Sequence, residues 1–359
     1  MHNEWAMREY HEGDEEGIFE LFKAVYPQKE YDYSKWLRWW RWLYKDNPAG
    51  PGRIGIAEQD NKIVGHYAVV PIRLCITGDT VLASQAVDGL THPDYRRRKI
   101  FETLAKKVYA EAARDGIHIV YGFPNQSSRP VLIEKADWFD IANMQIMLKP
   151  LNWKDTIGII GNNQYLGSIF SPLASLLCGK TLLRRKKPNV LPGLTVKKVT
   201  SFDERFDALW SKVASQFHIM VLKNSDYLRW RYSAPETNYS ILVAEQDGEV
   251  LGYLVIKYVT DKSIKVGIIF DMVAQSEDVL DRLIKKLIED CQQENVALIQ
   301  YQLRANKIYH RVLKSHGFIS LPLIKGSHFC GYSTRTDISQ QFLRNPDNWF
   351  VQIGDSDLV

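Results

Sequence analysis

The chain has 359 residues, which exceeds one typical domain and suits two. Hydrophobic residues make up 45% and charged residues 25%, a globular composition that excludes general disorder. The net charge of +4 comes entirely from residues 151–193, which hold six basic residues and one acidic residue. Residues 1–150 and 194–359 are close to balanced, so a broad nucleic-acid-binding face is not expected.

Other classes of protein are also disfavoured. The four cysteines (Cys75, Cys178, Cys291 and Cys330) form no C-x-x-C pair, which is typical of a reducing compartment and gives no zinc-site spacing. The first ten residues lack the apolar run of a signal peptide, and no run of about 18 apolar residues predicts a membrane-spanning helix. We therefore expect a soluble cytoplasmic protein without a metal site.

The chain repeats itself. Ala-Glu-Gln-Asp occurs at residues 57–60 and again at 244–247, an offset of 187, and Pro48 and Pro235 keep that offset. We therefore predict two copies of one unit, a first copy at residues 1–149 and a second copy at residues 194–359.

Each copy is predicted to be an α/β unit with the same order of elements. A short strand is followed by an amphipathic helix, a Trp-rich helix, a hairpin, a third strand, a long helix, a buried strand and a helix that begins at an asparagine. In the first copy the predicted ranges are 6–10, 14–25, 36–44, 54–58 with 63–70, 82–89, 100–114, 118–122 and 125–135. In the second copy they are 194–199, 203–215, 227–232, 240–245 with 250–257, 265–273, 278–295, 297–302 and 306–316.

Two segments leave alternatives open. Four tryptophans lie close together in the Trp-rich helix of the first copy, Trp36, Trp39, Trp40 and Trp42. They suit either an aromatic substrate platform or packing between helix and sheet, and packing is favoured because the second copy keeps Trp230. The last residues predict a strand and an acidic tail, with a terminal carboxyl at Val359 that could reach a cleft.

Residues 150–193 fit neither copy. An apolar, partly helical stretch at 168–183 ends in four basic residues, 184–187, and prolines follow. The segment is predicted to be a basic, partly helical linker. A weak contact with a membrane surface is the alternative, and a solvated linker is favoured.

The segment most suited to chemistry joins a buried strand to the long helix of the first copy. Four consecutive basic residues, Arg96, Arg97, Arg98 and Lys99, lie at the predicted start of that helix. Free backbone N–H groups and the positive end of the helix dipole meet there, so a phosphate or pyrophosphate could be held. A solvated basic turn is the alternative.

This segment resembles the acyl-CoA loop of the GNAT (GCN5-related N-acetyltransferase) superfamily, which has the pattern V-x-P-x-Y-R-x-x-G-x-G/A. Here the corresponding residues run from Thr91 to Phe101. Asn125-x-x-Ser128 resembles the Asn-led helix of that family, and Asn306-x-x-Tyr309 resembles it more closely. The chain is thus similar to a tandem GNAT protein. The resemblance implies two GNAT-like acyl-CoA N-acyltransferase units, each a mixed, largely antiparallel sheet flanked by helices.

The resemblance also implies roles for individual residues. Leu90 and Thr91 would offer backbone groups to the pantetheine and the thioester carbonyl. The phosphates would lie on backbone N–H groups of the turn, and Asn125 would begin the helix beside the cofactor. The turn residues are Arg96, Arg97, Arg98, Lys99, Ile100 and Phe101.

Two departures from the family pattern bear on cofactor binding. Lys99 replaces the loop glycine, and Phe101 replaces Gly or Ala. The second copy has Ala-Gln-Ser-Glu-Asp at 274–278 instead of a basic loop, so we expect it to be degenerate and to bind no acyl-CoA.

Two residues are candidates for catalysis. Asp88, just before the loop, is the candidate general base that takes the proton from the amine. A structural role is the alternative, because Asp271 recurs in the copy that lacks the loop. Ser128 stands where the family has its tyrosine acid, and its hydroxyl could instead bond the cofactor.

The predicted activity is transfer of an acyl group from acetyl-CoA, as co-substrate, to a primary amine. The acceptor would be a small molecule or a peptide, and no nucleic acid is expected. One alternative is a non-catalytic GNAT-fold binding protein with a degenerate loop. Another is a Fem-type aminoacyltransferase, against which the balanced charge argues because tRNA needs a broad basic face.

Overall fold

The computed structural model describes residues 5–28, 30–156, 192–261, 263–303, 306–320 and 327–357. The apolar stretch at 168–183, the basic run at 184–187, Cys178 and Val359 lie outside these residues, so the expectations for them stay predictions. Within the described ranges, no helix has both the length and the apolar character needed to cross a membrane.

The first copy contains the predicted elements and two further strands. Its strands and helices are β1 (Ala6–Glu9), α1 (Glu15–Val25), α2 (Tyr33–Tyr44), β2 (Arg53–Gln59), β3 (Lys62–Ile76), β4 (Asp79–Thr91), α3 (Ile100–Arg114), β5 (Ile119–Gly122), α4 (Ser128–Lys135), β6 (Phe139–Asn143) and β7 (Gln145–Pro150). Local chemistry explains several of the boundaries. Asp32 accepts a hydrogen bond from the backbone N–H of Lys35 at 3.0 Å and begins α2, and acidic residues fill the first turn of α1.

The second copy repeats this order. Its elements are β8 (Thr195–Val199), α5 (Arg205–Val213), β9 (Ile219–Val221), α6 (Ser225–Arg231), β10 (Tyr239–Gln246), β11 (Glu249–Asp261), β12 (Ile264–Ala274), α7 (Glu277–Gln293), β13 (Leu298–Leu303), α8 (Lys307–Ser315), β14 (Ile319–Ser320), β15 (His328–Ser333), α9 (Gln340–Arg344) and β16 (Trp349–Phe350). The predicted Asp-Gly turn joins β10 to β11, with Asp247 and Gly248 both at positive φ.

The strands form two mixed, mostly antiparallel sheets, which confirms the predicted fold class. The first sheet has the order β1-β2-β3-β4-β5-β15-β6, with β9 beside β3 and β16 beside β9. The second has the order β14-β7-β13-β12-β11-β10-β8.

The two sheets exchange strands. Strand β15 from the second copy lies between β5 and β6 of the first sheet, and β7 from the first copy lies between β13 and β14 of the second. The predicted division at residues 149 and 194 did not include this exchange. Strand β9 of the second copy also pairs with β3 of the first, so the two copies are hydrogen-bonded together along five strand edges.

Helices α2 and α6 meet where the copies join. Trp42 and Trp230 stack with ring centroids 4.9 Å apart, and each indole N–H donates to the other residue's backbone carbonyl, at 2.8 and 2.9 Å. Trp36, Trp40 and Trp42 are buried. These contacts favour the packing interpretation of the Trp-rich helix over a substrate platform.

The first sheet opens beside β4. The parallel strands β4 and β5 pair only at Ser84 with Val120 and at Gln85 with Tyr121, and beyond these residues they are not paired. A register shift between β3 and β4 leaves Asp88 and Gly89 together opposite Tyr67. The bulge in β4 lies just beyond the last residue that pairs with β5. Backbone N–H and C=O groups of β4 are therefore available there to hydrogen-bond a ligand.

Candidate active site

A cleft of about 140 Å³ lies where β4 and β5 separate. Its walls come from β4, the end of β5, the first turn of α3, the start of α4 and the C-terminal segment. The lining residues are Tyr26, Tyr67, Ala86, Val87, Asp88, Gly89, Leu90, Phe101, Gly122, Phe123, Pro124, Asn125, Ser128, Leu132, Trp138 and Asp357.

Five of the predicted site residues line this cleft. They are Asp88, Leu90, Phe101, Asn125 and Ser128. Thr91 and the residues from Arg96 to Ile100 lie outside its lining. Thr91 pairs with Gly65 on β3, and its hydroxyl is buried without a hydrogen-bond partner among the described residues.

The basic loop contains two residues in the left-handed backbone conformation. Lys99, which replaces the glycine, precedes α3 in the left-handed conformation with φ +62°, and Arg97 has φ +65°. A non-glycine residue pays a conformational cost of about 1 kcal/mol or more in this region. All four basic side chains are exposed beside the free N–H groups that begin α3. The turn therefore fits a phosphate group.

Phe101 covers the bulge in β4. Its ring lies so close to Gly89 that a Cβ at that position would be 2.5 Å from the Phe101 ring. It also contacts Tyr67 edge to face, with centroids 5.2 Å apart. A glycine or alanine at position 101 would leave this space open, so Phe101 narrows the cleft.

Asp88 has an unusual setting. It lies in the bulge at φ +48° and accepts a hydrogen bond from the Tyr44 hydroxyl at 2.6 Å. Burial raises the pKa of Asp88 to about 7, the Tyr44 hydrogen bond lowers it, and the nearby carboxylate of Asp357 raises it. A carboxyl group that titrates near neutral pH suits a general base.

His66 fixes the backbone at the same point. Its Nδ1 donates to the carbonyl oxygen of Asp88 at 2.8 Å, which assigns the proton to Nδ1. Burial lowers the pKa of His66 to about 4, so the ring is neutral at pH 7. His66 therefore supports the bulge as a neutral hydrogen-bond donor.

Asn125 and Ser128 hydrogen-bond each other in the turn that leads into α4, whose N-cap residue is Ser127. The Asn125 side chain accepts hydrogen bonds from the backbone N–H groups of Ser127 and Ser128, both at 2.9 Å. The Ser128 hydroxyl accepts from the Asn125 N–H at 3.1 Å and contacts Asn125 Oδ1 at 3.2 Å. The Asn-led helix is thus present, and the Ser128 hydroxyl is engaged in this turn.

Two features of the cleft were not predicted. Three aromatic residues form a hydrogen-bonded chain, in which Trp138 Nε1 donates to the Tyr109 hydroxyl at 3.0 Å and Tyr109 bonds Tyr67. The second feature is Asp357, whose segment comes from the far end of the chain. No local pattern marks either feature, because each depends on contacts between residues distant in sequence.

The second copy has no comparable chemistry at the matching place. Asp271 is fully buried and accepts hydrogen bonds from Lys223 at 2.7 Å and Tyr232 at 2.9 Å. The segment after β12 begins α7 with a Ser276 cap and acidic residues. Asp271 is thus held in a structural network. In the described ranges, no three His, Cys, Asp or Glu side chains are grouped to hold a metal ion.

Comparisons with known proteins agree with this arrangement. Residues 6–138 match the family model of the acetyltransferase (GNAT) domain. A search of curated proteins by sequence finds no match.

Similar solved structures extend over most of the chain. A GCN5-related N-acetyltransferase from Anabaena variabilis has a TM-score of 0.64 and 11% identity, over 91% of this chain and 72% of its own. A probable N-acyltransferase from Enterococcus faecalis has a TM-score of 0.64 and 10% identity, over 94% and 74%. Saccharomyces cerevisiae N-myristoyltransferase with bound myristoyl-CoA has a TM-score of 0.59 and 12% identity, over 92% and 83%.

At these identities, the structural likeness shows the fold alone, and the family match is limited to residues 6–138. Residues 6–138 thus form a domain of the GCN5-related N-acetyltransferase superfamily, which confirms the predicted family, and the chain as a whole has the fold of GNAT N-acyltransferases.

Proposed function

We propose that the protein is an acyl-CoA-dependent N-acyltransferase that uses acetyl-CoA and acylates a primary amine directly. The first copy supports this proposal because its cleft contains unpaired strand ends and a carboxyl group whose pKa burial raises to about 7, and a basic turn precedes the helix α3 that contributes to the cleft wall. The cofactor would lie between β4 and α4, with its phosphates on the Arg96–Phe101 turn and its thioester beside Leu90 and Thr91.

The cleft residues would then act on the acceptor amine. Asp88, as a carboxylate, takes a proton from the acceptor ammonium, and the neutral nitrogen attacks the thioester carbonyl. The new C–N bond forms, and the C–S bond breaks as the tetrahedral intermediate collapses. The second nitrogen proton passes to the leaving sulfur, so the products are the amide and the CoA thiol, and Asp88 returns its proton to solvent. Backbone N–H groups near the bulge would stabilise the oxyanion of the intermediate.

The size of the cleft favours a short acyl group. Phe101 lies against Gly89 within a cleft of about 140 Å³, which leaves little room beside the proposed thioester position for a longer acyl chain. Acetyl transfer is therefore proposed, although the fold is shared with a myristoyltransferase.

Calorimetric titration with acetyl-CoA tests the cofactor assignment. We expect binding, and we expect Arg96→Ala to weaken it about tenfold, because a charge-assisted phosphate contact contributes about 1.5–3 kcal/mol. Arg114→Ala, at the exposed far end of α3, is the matched control and leaves the affinity unchanged. No binding at millimolar acetyl-CoA, together with no effect of Arg96→Ala, would contradict the assignment.

An amine panel tests the reaction. Purified protein is incubated with acetyl-CoA and amino sugars, amino acids, polyamines or lysine peptides, and free thiol release is measured. Thiol release that depends on one acceptor class supports the proposal. Binding of acetyl-CoA without turnover of any amine would favour the non-catalytic alternative, and a salt-dependent gel shift with tRNA would favour the Fem-type alternative.

A further inference from the structure

The C-terminal segment, residues 352–357, is a buried part of the fold. Gln352 has no exposed surface, and Asp355 and Ser356 are 1% and 5% exposed. This differs from the predicted acidic tail. The segment carries the Asp355 side chain into the interior, so specific partners must compensate its burial, and Asp357 follows with a partly exposed side chain.

Gln352 occupies the place where the sheet of the second copy opens. Strands β12 and β13 pair as far as Ile269 with Tyr301. Just beyond this pair, the backbone N–H of Met272 donates to Gln352 Oε1 at 2.9 Å, and the Tyr301 hydroxyl donates to the same atom. Gln352 Nε2 donates to Asp271 Oδ1 at 2.6 Å. The chain's own segment thus fills the counterpart of the first copy's cleft.

An ionic cluster holds the next part of the segment. Lys223 Nζ contacts Asp271 Oδ2 at 2.7 Å and Asp355 Oδ1 at 2.6 Å, and all three side chains are almost completely buried. Asp355 also accepts through its backbone carbonyl a hydrogen bond from the Tyr121 hydroxyl at 3.0 Å. Since Tyr121 belongs to β5, the cluster connects the segment to both sheets.

Arg231 fixes the backbone on the other side of Asp355. Its Nε donates to the carbonyl of Gly354 at 2.7 Å, and its Nη2 donates to the carbonyl of Ser356 at 3.0 Å. The backbone is therefore held immediately before Asp357. Asp357 lines the first copy's cleft together with Asp88, and its charge raises the pKa of Asp88.

We propose that the second copy serves as a holder for residues 352–357, and that Lys223, Asp271 and Asp355 are positioning residues that place Asp357 beside Asp88 in the acyl-transfer cleft. The consequence for catalysis rests on the proposed function. Two carboxylates at one end of the cleft favour an acceptor that arrives as an ammonium ion. Loss of the cluster would let Asp357 move away and would weaken binding of the acceptor, while the basic loop would still hold acetyl-CoA.

Hydrogen exchange tests whether the second copy holds residues 352–357 in place, and it does not depend on enzymatic activity. In the wild-type protein the amides of residues 352–357 exchange slowly. In Lys223→Met they exchange at least tenfold faster, while peptides from β10 to β12 keep their protection. Lys223→Met leaves two buried carboxylates unpaired and is the variant most at risk of unfolding. Asp355→Asn keeps one carboxylate beside Lys223 and carries the same expectation.

Kinetics test the positioning role. Asp355→Asn and Asp357→Asn each lower kcat/KM for the amine about tenfold, and the double variant falls no further than the stronger single variant. The dissociation constant of acetyl-CoA stays within about twofold. Asp337→Asn, whose exposed side chain contacts Arg335, is the control and changes neither quantity.

The outcomes separate the two proposals. If residues 352–357 keep their protection from exchange in a folded Lys223→Met or Asp355→Asn protein, the proposal that the second copy holds this segment is wrong. Faster exchange with an unchanged kcat/KM would overturn the positioning role. A wild-type protein that binds no acetyl-CoA and acylates no amine would overturn the proposed function, and the exchange measurement would still decide whether the segment is held.

Discussion

At the scale of single residues, Asp88 is the most informative position. It combines a strained backbone, a tyrosine hydrogen bond and a nearby carboxylate. Strained backbone at a bulge is retained where the surrounding structure fixes it, and here His66 and Tyr44 do so. The recurrence of Asp271 favoured a structural role from sequence. The two aspartates differ in surroundings, since only Asp271 is paired with a buried lysine.

The raised pKa of Asp88 predicts how stability depends on pH. The native state keeps a proton on Asp88 up to about pH 7, whereas the unfolded chain loses it near pH 4, so the free energy of unfolding falls as pH rises between these values. Asp88→Asn cannot ionise. We expect its melting temperature to exceed that of the wild type at pH 8 and the difference to narrow at pH 5.

Thermal unfolding at several pH values checks this expectation, with Asp79→Asn at the exposed start of the same strand as the control. The Asp88→Asn variant also tests the role of Asp88 as a general base. We expect the wild-type kcat/KM to rise as pH increases through about 7, and we expect Asp88→Asn to lose that rise. A difference in melting temperature that does not change with pH would contradict the assigned ionisation.

At the scale of secondary-structure elements, local signals predicted most of the fold. Periodicity and caps indicated the paired helices, with Ile100–Arg114 as predicted, and the turn residues indicated both hairpins. The sequences of strands β7 and β15 do not indicate their partners, because strand exchange depends on pairs about 150 or more residues apart. The left-handed backbone conformation of Lys99 could not be predicted either, because a lysine in the sequence does not indicate positive φ. Sequence patterns thus pointed to five residues that line the cleft, and they could not point to Asp357.

Phe101, in the first turn of α3, is expected to limit the length of the acyl group that the cleft accepts. Phe101→Ala removes the ring that covers Gly89 and enlarges the cleft. We expect the ratio of kcat/KM for butyryl-CoA to that for acetyl-CoA to rise about tenfold, comparable to the 1–3 kcal/mol by which a pocket discriminates a methylene group. Phe342→Ala, a partly buried phenylalanine outside the cleft, is the control. An unchanged ratio would mean that Phe101 does not limit the acyl chain.

At the scale of the whole molecule, the two copies form one structural unit. Each sheet contains at least one strand of the other copy, the Trp42–Trp230 pair joins the helices, and Tyr121 of the first copy donates a hydrogen bond to the backbone carbonyl of Asp355. If one copy unfolds, its exchanged strand is withdrawn from the sheet of the other copy. We therefore expect the unfolding of either copy to disrupt both sheets. Cooperative unfolding of the entire described structure follows from this arrangement.

Calorimetry checks the cooperativity. We expect one unfolding transition for the full chain, with near-equal calorimetric and van't Hoff enthalpies. A fragment of residues 1–149 lacks β15, so the edges of β5 and β6 stay unpaired, and we expect it to aggregate or to remain unfolded. Two separate transitions, or a soluble and cooperatively folded 1–149 fragment, would contradict the single unit.

The exchanged strands also impose an order on biosynthesis. Strand β6 ends at Asn143, but its neighbour β15 ends at Ser333, about 190 residues later in the chain. At roughly 5–20 residues per second, a ribosome needs about 10–40 s to make that interval. During this time the nascent first sheet has two open edges with nothing to pair with. The first sheet therefore cannot be completed until nearly all of the second copy has been synthesised. We expect chaperones to bind the incomplete first copy during translation.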